Sequence, residues 1–167
     1  VEYGSDIIII DCGLAFPDDD MPGIDVVIPD MSYLEKNAQN IRGILITHGH
    51  EDHIGAVPYA LQKLNVPVYA TKLTIALIEQ KLSEIKVDHV DLNCVSPGDT
   101  IRLGCFNVEF IKTSHSIADS CALAINTPIG TVIHTGDFKV DYTPIDGEVT
   151  DLAGFAQLGS EGVMAFL

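Results

Sequence analysis

The stretch Ile41-Arg42-Gly43-Ile44-Leu45-Ile46-Thr47-His48-Gly49-His50-Glu51-Asp52-His53 decides how the chain is read. Its first part, Ile41–Thr47, is an apolar run of the length and composition of a buried strand, and it ends at His48. Three imidazoles and a carboxylate (His48, His50, Asp52 and His53) then fall within six residues. In extended backbone, residues two apart project to the same side, so His48 and His50 can reach one ion together. A turn into a helix swings Asp52 and His53 to the other side of the loop, where a second ion can be held. Gly49 and Gly55 remove side chains where the backbone has to bend or approach a metal closely. Imidazole and carboxylate suit Zn²⁺, with Mn²⁺ or Fe²⁺ as alternatives. A histidine-rich surface loop is the competing reading, but it does not explain four ligand-type residues directly after a strand.

Working outward, two αβ units are legible. Ile7–Asp11 reads as an apolar strand that runs into the acidic loop Phe16–Gly23. After His53, Val57, Leu61 and Leu64 follow helical spacing, with Pro58 tolerable only in the first turn. Val66–Ala70 returns as a strand, and Thr71 is the expected N-cap of a helix whose stripe is Ile75, Ile78, Leu82 and Ile85. Beyond Asp88 the pattern is read as strand throughout. Thr100–Leu103 and Asn107–Ile111 flank Gly104 as one hairpin; Cys121–Asn126 and Thr131–His134 flank Pro128–Gly130 as another. Val163–Leu167 is an apolar run that reads as a strand cut in the middle. The expectation is one α/β domain over residues 1–167, incomplete at both ends, without linker, repeat or low-complexity tract.

Two further positions join the first motif. His115 follows the strand Asn107–Ile111 and Asp137 follows Thr131–His134, and strand ends are where an αβ sheet presents a site. His89, between Asp88 and Asp91, reads as a solvated loop residue, and His134 as a packed or hydrogen-bonded strand residue. Cys12, Cys94, Cys105 and Cys121 form no C-x-x-C pair and read as small buried hydrophobes in a reducing compartment. No apolar run approaches the roughly 18 residues that span a bilayer, and no signal-peptide pattern is visible, so the cytoplasm is the expected location. The net charge of −15, with nine Lys and Arg against 24 Asp and Glu, does not encode a basic surface for nucleic acid. Two divalent cations would leave the chain acidic overall but locally positive at the site.

The series Asp11, His48-x-His50-x-Asp52-His53, His115 and Asp137 resembles the motif series of the metallo-β-lactamase superfamily. Within it, the chain is most similar to the amino-terminal part of the ribonuclease J family, of the β-CASP nuclease group. That closer likeness rests on Cys12-Gly13-Leu14, Phe16-Pro17, Gly23-Ile24-Asp25, Pro29-Asp30, Ser114-His115-Ser116-Ile117, Asp119-Ser120, Gly136-Asp137-Phe138-Lys139, Asp141, Thr143-Pro144 and Asp146-Gly147. The resemblance implies an αββα sandwich, of which this chain is about the amino-terminal half. It implies two Zn²⁺ (with Mn²⁺ possible): one held by His48, His50 and His115, the other by Asp52 and His53, with Asp137 bridging them and Asp11 orienting the metal loop from behind. It implies hydrolysis of RNA phosphodiesters by a metal-activated hydroxide, oriented by Asp52 and Asp137, as 5′–3′ exonuclease and endonuclease in rRNA processing and mRNA decay. RNA is the implied partner; a second copy of the chain is expected as another because the apolar run Val163–Leu167 leaves a strand edge unpaired. A seventh metal ligand, the RNA-gripping β-CASP part and the second half of the sandwich are expected beyond Leu167. On the residues alone, hydrolysis of another ester or thioester, and a metal-binding piece that catalyses nothing, stay open.

Overall fold

Four consecutive isoleucines start the core, and the alternation of a strand sends them two ways. In the computed structural model, which describes residues 1–167, they lie on β2 (Asp6–Ile10). Ile7 and Ile9 face a helical layer, while Ile8 and Ile10 face a second sheet. The first sheet has the order β1 (Glu2–Tyr3), β2, β3 (Ile41–Leu45), β4 (Val68–Thr71), β5 (Leu92–Val95). β2 to β5 run parallel and β1 is antiparallel to β2. After the short helix α1 (Ser32–Lys36), the crossovers α2 (Glu51–Ile54), α3 (Val57–Leu61) and α4 (Lys72–Ile85) cover the outer face. There Ile54, Val57, Ala60, Leu64, Ile78 and Leu82 pack on Ile7, Ile41, Ile44, Val68 and Ala70. Pro58 sits in the first turn of α3, as expected.

The second sheet has the order β10 (Val163–Phe166), β9 (Gly130–His134), β8 (Cys121–Thr127), β7 (Phe106–Lys112), β6 (Thr100–Leu103). β6 to β9 form an antiparallel meander, and β10 lies parallel to β9. Phe106, Val108 and Phe110 alternate inward with Cys121, Leu123 and Ile125, and they meet Ile8 and Leu45 of the first sheet. Each large apolar side chain fully buried here contributes about 1.5–3 kcal/mol. On the far side Ile111, Ala122 and Ala124 receive Phe155 and Leu158 of α5 (Leu152–Glu161). The layer order is the expected αββα. Five strands of each sheet lie within residues 1–167.

Several local expectations shift. β2 ends at Ile10 because Asp11 turns into the left-handed region at φ 55°. β3 ends at Leu45, two residues early, and β4 begins at Val68. The strand reading of everything beyond Asp88 is corrected by α5, whose two internal glycines lower helix propensity and hide it. The overlooked sign is Asp151, whose carboxylate accepts from the Gly154 amide at 2.9 Å as an N-cap. The cysteines are all unpaired, but only Cys12 and Cys121 are buried; Cys94 is exposed and Cys105 half-buried. Burial pushes the Cys12 thiol up to about 11 and Cys121 to about 12, so both stay protonated and chemically quiet. No helix is long and apolar enough to cross a membrane.

Candidate metal centre

β2, β3, β7 and β9 deliver their following loops to one end of the sandwich, and the six expected ligand residues gather there. His48 is fully buried, His50, His53 and His115 are partly buried, and the side chains of Asp52 and Asp137 are 70% and 50% exposed. His48 Nε2 lies 3.0 Å from His50 Nδ1, which lies 3.2 Å from His115 Nε2. Donor atoms around a tetrahedral zinc at about 2.0–2.1 Å stand roughly 3.3 Å apart, so this spacing fits one ion. A second trio, His48, His53 and Asp137, shares His48 with the first, and within each trio the donor atoms lie within 4.8 Å of one another. Asp137 Oδ1 is 3.6 Å from His53 Nε2, while its Oδ2 is 3.7 Å from His115 Nε2. One carboxylate thus turns an oxygen to each side. Asp52 stands beside His53, Oδ2 to Nε2 3.8 Å, but outside that trio.

The tautomers follow from what stands behind the rings. Asp11 Oδ1 accepts from the Thr47 amide at 2.8 Å, and Oδ2 accepts from the Thr47 hydroxyl at 2.8 Å and from His53 Nδ1 at 2.7 Å. The single Thr47 hydroxyl proton is committed to Asp11. The Thr47 oxygen, 3.0 Å from His48 Nδ1, therefore accepts from that nitrogen. His48 and His53 are left with Nε2 lone pairs aimed into the cluster. Burial, reinforced by the neighbouring His53 and His115, pushes His48 down to about 4. Burial also lowers His115, so both offer neutral imidazoles. His53 is raised, chiefly by its hydrogen bond to Asp11. This donor set of imidazoles and a carboxylate is the chemistry of a divalent-metal site.

Gly49 and Gly55 serve a different purpose from the one expected. A Cβ on Gly49 would stand 2.5 Å from Leu77 Cδ1, and one on Gly55 2.4 Å from Leu14 Cγ. The space they clear is filled by protein, which seats the histidine loop on α4 and on the segment after β2. The loop is further laced to that segment by Cys12 N to His53 O at 2.7 Å and Ala56 N to Cys12 O at 2.9 Å. Thr47 was overlooked as a participant, although its place between an apolar strand and His48 was the available sign. His89 is an exposed loop residue, and His134 Nδ1 accepts from the Gly136 amide at 3.1 Å, both as expected.

Comparison with known proteins follows the same lines. Over 99% of its length the chain is 51% identical to ribonuclease J of Synechocystis, of which it covers 26%. It is 44% identical over its full length to ribonuclease J2 of Bacillus subtilis, of which it covers 30%. The chain thus spans about a quarter of the length of the curated relatives it matches. Among solved structures, the metallo-beta-lactamase fold protein YhfI from Bacillus subtilis superposes with a TM-score of 0.55 at 20% identity, covering 81% of this chain and 52% of that one. Zn²⁺-bound PqqB from Methylobacterium extorquens superposes with a TM-score of 0.52 at 11% identity, covering 77% and 44%. These two establish a shared fold. Residues 1–160 match the family pattern described as the metallo-beta-lactamase superfamily, and with two packed sheets and a histidine–aspartate cluster at their loop end, the chain belongs to that superfamily.

Proposed function

We propose that the chain is the metal-holding part of a ribonuclease that hydrolyses RNA phosphodiester bonds. The observation that carries this reading is Asp137 standing between His53 and His115 at the histidine cluster, one carboxylate oxygen turned to each side. The ribonuclease J relatives support RNA as the substrate. In this reading His48, His50 and His115 would hold one divalent cation, Zn²⁺ by the donor set. Asp52 and His53 would hold a second, with Asp137 offering one oxygen to each. Two such ions would supply Lewis acidity and lower the pKa of water toward neutrality. The chain's own residues do the rest. Asp11 fixes the His48 and His53 tautomers, and Asp52 and Asp137 offer carboxylate oxygens that orient the attacking water. A groove of ≈ 280 Å³ opens beside His115 between Ser114–Ala118 and Lys139, Pro144, Ile145 and Asp146. Its lining of hydroxyl, apolar and charged side chains suits the base and sugar flanking the scissile phosphate. The unpaired cysteines fit a reducing compartment, the cytoplasm. Roles in rRNA processing and mRNA decay, by 5′–3′ and internal cleavage, belong to the same reading.

The test is a substrate panel of RNA against a thioester and a β-lactam, run on the full-length protein with Zn²⁺ or Mn²⁺. Selective RNA cleavage is expected, and Asp137→Asn lowers it by about two orders of magnitude or more, with the circular dichroism spectrum unchanged. Preference for a thioester overturns the reading, and a near-normal Asn variant removes the bridging role. The chain's quarter share of its relatives' length favours a second reading for the isolated chain, as a metal binder that cleaves nothing by itself. That reading is tested by the same assay on residues 1–167.

A further inference from the structure

The three histidines of the first trio sit on two loops, and both loops are seated on α4. Gly49, between His48 and His50, lies so close to the helix that a Cβ would stand 2.5 Å from Leu77 Cδ1 and 3.3 Å from Ile117 Cδ1 of the other loop. That other loop carries His115 and is tied to the start of the same helix. The Thr71 hydroxyl, expected to cap α4, instead donates to the Asp119 carbonyl at 2.9 Å. The cap comes from Asp119 itself, whose Oδ2 accepts from the Leu73 amide at 3.2 Å across 46 positions of sequence. Asp119 reaches it from the left-handed region, φ 63°, and the loop is drawn tight by Ser120 Oγ donating to the Ile117 carbonyl at 3.0 Å.

This anchorage matters because no hydrogen bond holds the His115 ring from behind: its backbone is held on one side by Ser114, bonded to Lys139, Thr150 and Glu148, and on the other by Asp119 on α4. The Nδ1 atoms of His48 and His53 are held by Thr47 and Asp11, whereas the polar contacts of the His115 ring run from Nε2, toward His50 and Asp137. Its aim is therefore set by its backbone. We propose that Asp119 is a positioning residue: by capping α4 from the neighbouring loop it sets the reach of His115 toward His50, and with it the affinity of the three-histidine site for a divalent cation. The proposal rests on the reading of that trio as a metal site.

Cobalt(II) titration of the chain, followed by visible absorption, tests it. Asp119→Ala and Asp119→Gly are both expected to weaken the first cobalt ion about 10- to 100-fold. The Gly variant keeps the left-handed backbone free of strain and removes only the carboxylate. Asp119→Asn retains an acceptor oxygen and tolerates the same backbone, so it binds close to wild type. Leu82→Ala, which opens the α4 core far from the loop, lowers the Tm without weakening cobalt. If the Gly variant binds as wild type does, or if Leu82→Ala weakens cobalt equally, the positioning role is overturned. A wild-type chain that takes up no cobalt overturns the metal reading itself, and this inference with it.

Discussion

Asp11 takes its place at a conformational cost, because a side chain at φ 55° is strained unless its surroundings hold it there. Three donors do so: the Thr47 amide, the Thr47 hydroxyl and His53 Nδ1. An amide at this position can accept with one atom only, so Asp11→Asn must leave either Thr47 or His53 facing a donor. The expected result is a metal affinity lower by about 10- to 100-fold at the site that includes His53, with the fold retained. Metal analysis by mass spectrometry after dialysis reads it directly; an Asn variant that keeps the wild-type metal content would show that Asp11 only shapes the loop. At this scale the histidines and aspartates were legible, because ligand spacing along a strand end is a local property. Thr47 was not, since its part depends on Asp11, 36 positions away.

At the scale of elements, the turn between β6 and β7 is fastened to β2. The Asp6 carboxylate accepts from Arg42 Nε at 2.6 Å and from the Cys105 amide at 2.7 Å, joining β2, β3 and the second sheet. Arg42 first, then the Cys105 amide, holds the Asp6 carboxyl below the usual carboxylate range. A depressed folded-state pKa contributes stability that is fully present above the unfolded value, about 3.9, and is lost as pH falls through the folded one. Thermal unfolding of wild type and Asp6→Asn between pH 7 and pH 3 should therefore show a gap that closes on acidification. A gap that is constant across that range would mean Asp6 acts through shape alone. The strands and α4 were legible from period-two and helical patterns. The cap of α4 was not, because Thr71 carries the local signature while Asp119 does the capping.

At the scale of the whole molecule, two opposing forces govern behaviour in solution. Phe138, Val140, Tyr142, Ile145, Phe166 and Leu167 are exposed, and Thr135, Phe138, Val140, Leu152, Phe155 and Phe166 line an apolar hollow beside the edge strand β10. Apolar patches and unpaired edges drive association, while a net charge of −15 opposes it by repulsion. Salt screens the second and leaves the first, so dimers or larger species should grow with ionic strength. Light scattering at low and high salt checks this, and Phe166→Asp should reduce the association. A monodisperse monomer at both salts would mean the patch is too small to act.

The sequence by itself determined the strand alternation that sorts Ile7 from Ile8, the clustering of ligand-type residues at strand ends, and the superfamily. The first two are encoded within a few neighbouring residues, where backbone periodicity dictates side-chain direction, and the third in a series of such short motifs along the chain. Only the tertiary structure decided which nitrogen each of His48 and His53 presents, that His48 is shared by both trios, and that the His115 loop is hung from α4. Those depend on pairs such as Asp11 with Thr47 and Asp119 with Leu73. Such pairs meet only after two sheets have packed, and no spacing along the chain records the meeting.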